Sequence, residues 1–183
     1  MGAVTSAPVE ESSPPRSNRK KWMEELSKRK PEFNKLKLHQ MALPGTHNSA
    51  TYHIEHKYNY TSELARCQQH DVLTQLNSGV RVLDLRICDD CSEGVLKISH
   101  RFHGVNLGEV LHQIYTFLSD NQGEIVLVNI KKDFDRELSE EGIKKASEMI
   151  KNYFGSMIID NFKVYEFGYE ELIYKKLRIH FFS

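Results

Sequence analysis

The sequence predicts an α/β fold built on a largely parallel sheet. From residue 38 onward, stretches with strand character alternate with stretches at helical spacing. One stretch, Glu124 to Ile130, is a run of branched apolar residues (Ile125, Val126, Leu127, Val128, Ile130), as a strand buried on both faces requires. Breakers fall at the ends of predicted elements, at Pro44-Gly45 and at Gly79. The candidate strands fit either an open sheet or part of an eight-stranded barrel.

The elements follow in order. Arg19 to Lys30 reads as a short helix with Trp22, Met23 and Leu26 on one side, ended by Pro31. Gln40 to Leu43 reads as a short strand. Ser62 to Asn77 reads as a helix with Leu64, Cys67, Val72, Leu73 and Leu76 inward, stopped at Gly79. Val80 to Ile87 alternates, Val80 and Val82 against Arg81 and Leu83, and reads as a strand; Val95 to Ser99 is another. Leu107, Val110, Leu111, Ile114 and Leu118 repeat at helical spacing. Ser139 can cap a helix reaching about Tyr153, and Leu177 to Phe182 is a last strand.

A chain of 183 residues is one domain's worth. Its 25 basic and 25 acidic residues cancel, which argues against a dedicated nucleic-acid binder. The longest apolar runs, Ile125 to Val128 and Ile179 to Phe182, are too short to span a bilayer, and the N-terminal region holds no apolar stretch of the secretory kind. Three cysteines are too few for a disulfide scaffold, so a reducing, cytoplasmic setting is expected.

Charge is uneven along the chain. Residues 1–37 form a basic leader distinct from a domain at 38–183; the first part, rich in serine, proline and alanine, reads as disordered. The opening Met1-Gly2-Ala3-Val4-Thr5-Ser6 fits an N-myristoylation pattern at Gly2. One acyl chain binds membranes marginally, and the basic stretch Arg16 to Lys30 could supply the second signal. The plainer alternative is a leader whose Trp22 and Leu26 dock on the domain.

In parallel α/β folds, functional groups gather where strands end. Such ends here carry His47 in Leu43-Pro44-Gly45-Thr46-His47-Asn48-Ser49, Asp84 and Arg86 in Leu83-Asp84-Leu85-Arg86, His100 and His103 in the segment to Gly104, and Lys131 in Asn129-Ile130-Lys131-Lys132-Asp133. Two imidazoles with a guanidinium suit phosphoryl chemistry: one removes a proton from an attacking hydroxyl, the other protonates the leaving oxygen, and the guanidinium offers paired donors to phosphate oxygens. Asp84 and Arg86, two apart in a strand, share a face. The bland alternative is a structural Asp–Arg pair with two surface histidines. A rival constellation, Cys88-x-x-Cys91 with His100 and His103, holds four potential zinc ligands, but at shorter spacing than zinc fingers use.

The motifs Leu-Pro-Gly-Thr-His47-Asn48-Ser, Gly79-Val-Arg-Val-Leu-Asp84-Leu-Arg86 and His103-Gly104 resemble the phosphatidylinositol-specific phospholipase C X domain, over about residues 38–135. The likeness is to the bacterial and small X-domain-only types. It implies a distorted TIM barrel, of which residues 38–183 supply only an N-terminal part, since such a barrel takes about 250 residues. The unpaired sheet edge this leaves implies an aggregation hazard and little turnover by residues 1–183 alone.

The resemblance also assigns roles. His47 matches the general base, His103 the general acid, Arg86 the transition-state arginine, Asp84 an active-site carboxylate, and Lys131 a lysine near the inositol. The substrate would be an inositol phospholipid or glycosylinositol, cleaved at a membrane surface without a cofactor. Asn48 matches the asparagine with which large members bind calcium, yet Arg86 and Lys131 stand where oxygen ligands would be needed. Bacterial members carry aspartate at the Asn48 position, paired with the acid histidine; Asn48 hydrogen-bonds but adds no charge. The alternative function is a non-catalytic membrane-binding or regulatory fragment.

Overall fold

A computed structural model of the chain describes residues 18–54, 64–90 and 94–182. Gly2, Cys91 and the start of the helix expected from Ser62 lie outside them. The centre is a sheet of β1 (Gly45–Thr46), β2 (Val82–Asp90), β3 (Val95–His100), β4 (Phe102–Asn106), β5 (Val126–Lys132) and β6 (Ile179–Phe182). The order is β4-β3-β2-β5-β6, with β1 beside the start of β2, and the sheet is open.

β1, β5 and β6 pair in parallel, as expected, but β3 and β4 are antiparallel to their neighbours. Connection length explains the exception. Four residues separate Asp90 from Val95, whereas a parallel crossover needs about a dozen.

A further expectation is corrected. No strand forms at Gln40 to Leu43. Instead Leu38–Gln40 is a 3₁₀ turn in which Gln40 Oε1 accepts the Lys37 N–H at 2.9 Å. Pairing with β2 starts at Pro44, whose carbonyl accepts from the Arg81 and Val82 N–H groups at 2.9 and 3.1 Å.

Among the helices, α1 spans Trp22–Arg29 and gives way at Pro31, as read from the sequence. The helix expected to run unbroken to Asn77 is interrupted: Leu64 and Ala65 are helical, residues 66–71 are not, and the short α2 (Val72–Asn77) starts afresh at Asp71, which caps it by accepting from the Thr74 N–H at 2.7 Å. Upstream of that cap Leu64 is 83% exposed, the reverse of its expected placement, and Cys67 is exposed too, while Val72 and Leu76 are fully buried. Gly79 ends the helix at φ +109, a conformation that side chains rarely adopt. The remaining helices are α3 (Leu107–Asp120), α4 (Glu140–Phe154), α5 (Asn161–Glu166) and α6 (Tyr169–Tyr174). α4 is capped by the Ser139 hydroxyl, as read from the sequence.

Two apolar clusters form the core. The larger joins one sheet face (Leu83, Leu85, Ile87, Ile98, Val126, Val128) to α2, α3 and α4 through residues such as Leu76, Leu111, Ile114 and Phe117. The smaller, with Met23, Phe33, Ile125, Tyr169 and Leu172, closes the end where β5 and β6 begin. At the outer side of β6, the Ile159 N–H donates to the Ile179 carbonyl at 2.7 Å, and His180 Nδ1 bonds the Ile159 carbonyl at 2.8 Å.

The segment from Asn18, within the leader read as residues 1–37, packs on the body. Arg81 and Glu124 are both fully buried, and the Arg81 Nε and Nη2 donate to Glu124 Oε2 at 2.8 and 2.6 Å. Arg81 also donates to the Lys20 carbonyl at 2.8 Å and lies 4.7 Å from the centre of the Phe117 ring. Glu124 accepts the Met23 and Glu24 N–H groups at the start of α1, at 3.4 and 3.1 Å. The Trp22 indole donates to the Gly79 carbonyl at 3.1 Å.

Replacing Glu124 alone (Glu124→Gln) leaves a buried guanidinium without its charge partner and should cost about 3–5 kcal/mol. Urea unfolding checks this, and the double variant Arg81→Met/Glu124→Met should recover part of the loss.

Candidate active site

The two-residue period of β2 sorts its side chains. Leu83, Leu85 and Ile87 enter the core, so Asp84, Arg86, Cys88 and Asp90 stand on the other face. The parallel register with β5 sets Asn129 beside Asp84 and Lys131 beside Arg86 on that same face. β1 pairs Thr46 with Leu83, so His47 arrives directly at Asp84.

The turn after β1 is pinned to β2. The Asp84 N–H donates to Ser49 Oγ and the Ser49 N–H to the Asp84 carbonyl, each at 2.8 Å. Asn48 takes φ +47, which is tolerated by asparagine better than by most side chains. This turn delivers His47 Nδ1 to 2.9 Å from Asp84 Oδ2, which also accepts the Asn48 N–H at 3.2 Å. Arg86 Nη2 lies 3.6 Å from the same oxygen, and Lys131 Nζ lies 4.0 Å from Oδ1. One carboxylate thus gathers an imidazole, a guanidinium and an ammonium. His47 stays accessible, its side chain 67% exposed, with Nε2 3.1 Å from Asn48 Nδ2. A proton held on Nδ1 by Asp84 leaves the Nε2 lone pair as the basic site.

Asn48 is buried. Its Nδ2 reaches His47 and, at 3.5 Å, the Cys67 sulfur, while its Oδ1 has no hydrogen-bond partner. Its amide contacts therefore run to the base side of the site, and His103 is held by another group.

His103 lies within β4 rather than at the end of a parallel strand, brought back by a hairpin turn at Arg101, φ +64. Its Nδ1 is 3.3 Å from Asp90 Oδ2, and Lys97 Nζ is 3.1 Å from the same oxygen. Gly104 follows because a Cβ there would come within 2.8 Å of the His53 carbonyl, where the Ile54 segment bridges to β4.

Asp90 was missed by sequence reasoning, which ended the strand at Ile87. Carrying the period on from Asp84 and Arg86 would have reached it. The zinc constellation does not assemble among the described residues. His100 Nδ1 bonds the Ala65 carbonyl at 2.9 Å, and His103 turns to Asp90. Among those residues no three histidine, cysteine or acidic side chains gather as a metal site.

Beside Arg86 opens a cleft of about 620 Å³, with His100, Arg101, Phe102, Asp133 and Phe134 on its walls. Ser99 donates to the buried Asp133 at 2.7 Å, and Phe134 at the rim is 91% exposed. No described helix is long and apolar enough to cross a membrane.

An open α/β sheet, packed by helices on one face and carrying imidazole, carboxylate and guanidinium groups on the other, is the frame of a TIM-barrel-type phosphodiesterase fold. The chain belongs to the phosphatidylinositol-specific phospholipase C, X domain family, whose pattern matches residues 41–171. It is 29% identical over 138 residues to 1-phosphatidylinositol phosphodiesterase of Listeria monocytogenes, covering 74% of this chain and 40% of that protein. It is 30% identical over 162 residues to the human PI-PLC X domain-containing protein 1, covering 75% and 49%.

Among solved structures, the Listeria phosphatidylinositol-specific phospholipase C superposes with a TM-score of 0.67 at 20% identity, covering 91% of this chain and 57% of that one. The Staphylococcus aureus enzyme gives 0.65 at 20% identity, covering 90% and 52%. The chain spans about two fifths to three fifths of these relatives, in keeping with a sheet that does not close.

Replacing Asp84 with alanine should loosen the turn more than the core. The Asn48 amide, which donates to Asp84, should exchange its hydrogen faster, while amides of β5 keep their protection; exchange followed by NMR checks both.

Proposed function

We propose that this chain carries the catalytic groups of a phosphoric diester hydrolase acting on inositol phospholipids or glycosylinositols, with His47 as base and His103 as acid. The observation that carries the reading is Asp84, whose carboxylate gathers His47, Arg86 and Lys131 on one sheet face. The names of the bacterial relatives support the substrate class.

In this mechanism the substrate displaces Asn48 Nδ2 from His47 Nε2, which then takes the proton of the inositol 2-hydroxyl. That oxygen attacks phosphorus. Arg86 and Lys131 balance the charge that builds on the phosphoryl oxygens. The bond from phosphorus to the diacylglycerol oxygen breaks, and His103 protonates the departing oxygen. The products are diacylglycerol and inositol 1,2-cyclic phosphate. Asn129, beside Asp84 on the same face, lines the inositol pocket in this reading.

The residues do not fit calcium. A hard cation needs several oxygen ligands, and Asp84 is flanked here by two fixed cations. We therefore assign Arg86 the charge-balancing role a metal would otherwise fill. The N-terminal pattern at Gly2, with the basic stretch behind it, supports a cytoplasmic protein held peripherally at membranes.

The test is cleavage of phosphatidylinositol in vesicles, with the cyclic product followed by phosphorus NMR. Turnover should be slow with the sheet open, and His47→Ala and His103→Ala should each reduce it by about 100- to 10,000-fold. Rates unchanged from the wild type in both variants would refute the reading, and no cleavage with intact membrane binding would favour the non-catalytic alternative. Turnover should persist in a calcium chelator and be lost in Arg86→Lys, which keeps the charge but not the paired donors. Separately, mass spectrometry of protein from eukaryotic cells should show a myristoyl group that Gly2→Ala removes, together with membrane partitioning; an unmodified Gly2 would end the anchor proposal.

A further inference from the structure

We infer that Asp90, with Lys97 beside it, is the positioning residue for His103, so that the acid side of the site is organised from β2 and not by Asn48. The inference rests on the proposed role of His103 as general acid. Asp90 Oδ2 stands 3.3 Å from His103 Nδ1 and 3.1 Å from Lys97 Nζ. The carboxylate is 5% exposed, the ammonium 7% and the imidazole 18%. Asp90 shares its face of β2 with Asp84 and Arg86, so one strand carries both carboxylates, one for each histidine.

Chemistry gives the arrangement its purpose. A general acid must present a protonated nitrogen to the leaving oxygen. A carboxylate at Nδ1 keeps a proton on that nitrogen, turns Nε2 outward, and balances the charge when both nitrogens are protonated. A carboxylate this deeply buried needs a counter-charge, which Lys97 supplies. Asn48 could not do this work: its amide carries no charge, and its Nδ2 is engaged with His47 and Cys67. Among the described residues, two other titratable side chains lie on the segments beside His103. Arg101, at the hairpin turn, bonds Asp135 at 3.2 Å, and His53, on the segment crossing Gly104, is exposed.

The experiment uses the 183-residue chain labelled with ¹⁵N in its histidine rings, the His103 signals being identified by their loss in His103→Gln. In the wild type the neutral His103 ring should carry its proton on Nδ1. In the double variant Asp90→Ala/Lys97→Met, which removes both buried charges together and leaves neither unpaired, that preference should disappear. In vesicle assays the same variant should lose about 10- to 1,000-fold in kcat with KM little changed, part of what a general acid contributes. An Nδ1 preference that survives in the double variant overturns the inference, as does a kcat there equal to that of the wild type. If the wild type cleaves no phosphatidylinositol, the functional reading falls, and the ring signals alone decide whether Asp90 sets the orientation of His103.

Discussion

The buried pair of Arg81 and Glu124 is the constraint from which the rest of the structure hangs. Both groups are wholly withdrawn from water, which is tolerable only because every part of the pair is occupied. The guanidinium takes the Glu124 carboxylate, the Leu76 and Val80 carbonyls and the Lys20 carbonyl, and it lies over Phe117. Burial pushes the Glu124 carboxyl up, and Arg81 with the two α1 amides pulls it back. Three separate stretches meet here: the N-terminal helix, the residue before β2, and the entry to β5. The paired strands β2 and β5 are therefore registered from their first residues, and that register sets Asp84 beside Asn129 and Arg86 beside Lys131.

Downstream of that anchor, one strand does two jobs by alternation. The odd-numbered positions of β2 from Leu83 to Ile87 make core, and the even-numbered ones from Asp84 to Asp90 make site. Core packing and site geometry are thus not independent. A shift of β2 by one residue would carry the carboxylates into the apolar layer and expose the leucines, so the packing of Leu83 and Leu85 against α3 holds the site in place.

Much of this was legible in the sequence. The buried run of β5, the helical spacing of α3 and the Ser139 cap of α4 are local signals, and local physics decides them. The shared face of Asp84 and Arg86 follows from strand period alone. Other features needed information that no local window contains. Nothing in a window around Arg81 says that its partner lies 43 residues away, so an inward arginine looked like the polar half of an alternation. The reversal of β3 was implicit in the short Asp90-to-Val95 connection, but strand-and-helix alternation elsewhere outweighed it. The helix expected through Leu64 and Cys67 rested on apolar spacing and overlooked Asp71, a capping residue that starts a helix afresh. Asp90 was hidden by the same kind of error, a strand ended where its apolar alternation stopped although its backbone continued.

The outer side of β6 bears on how the molecule behaves when crowded. Because the Arg178 carbonyl turns inward to β5, the outward-facing backbone groups of the strand belong to Ile179 and Phe181. Ile159 already takes the Ile179 carbonyl, and the His180 ring ties down Ile159 in turn. Along the described residues of β6, an incoming strand would find the Ile179 carbonyl already taken, which shortens the ladder it could nucleate. This edge is thus blunted where an uncovered strand would template fibrous assembly, and Ile159, from the loop before α5, does the blunting.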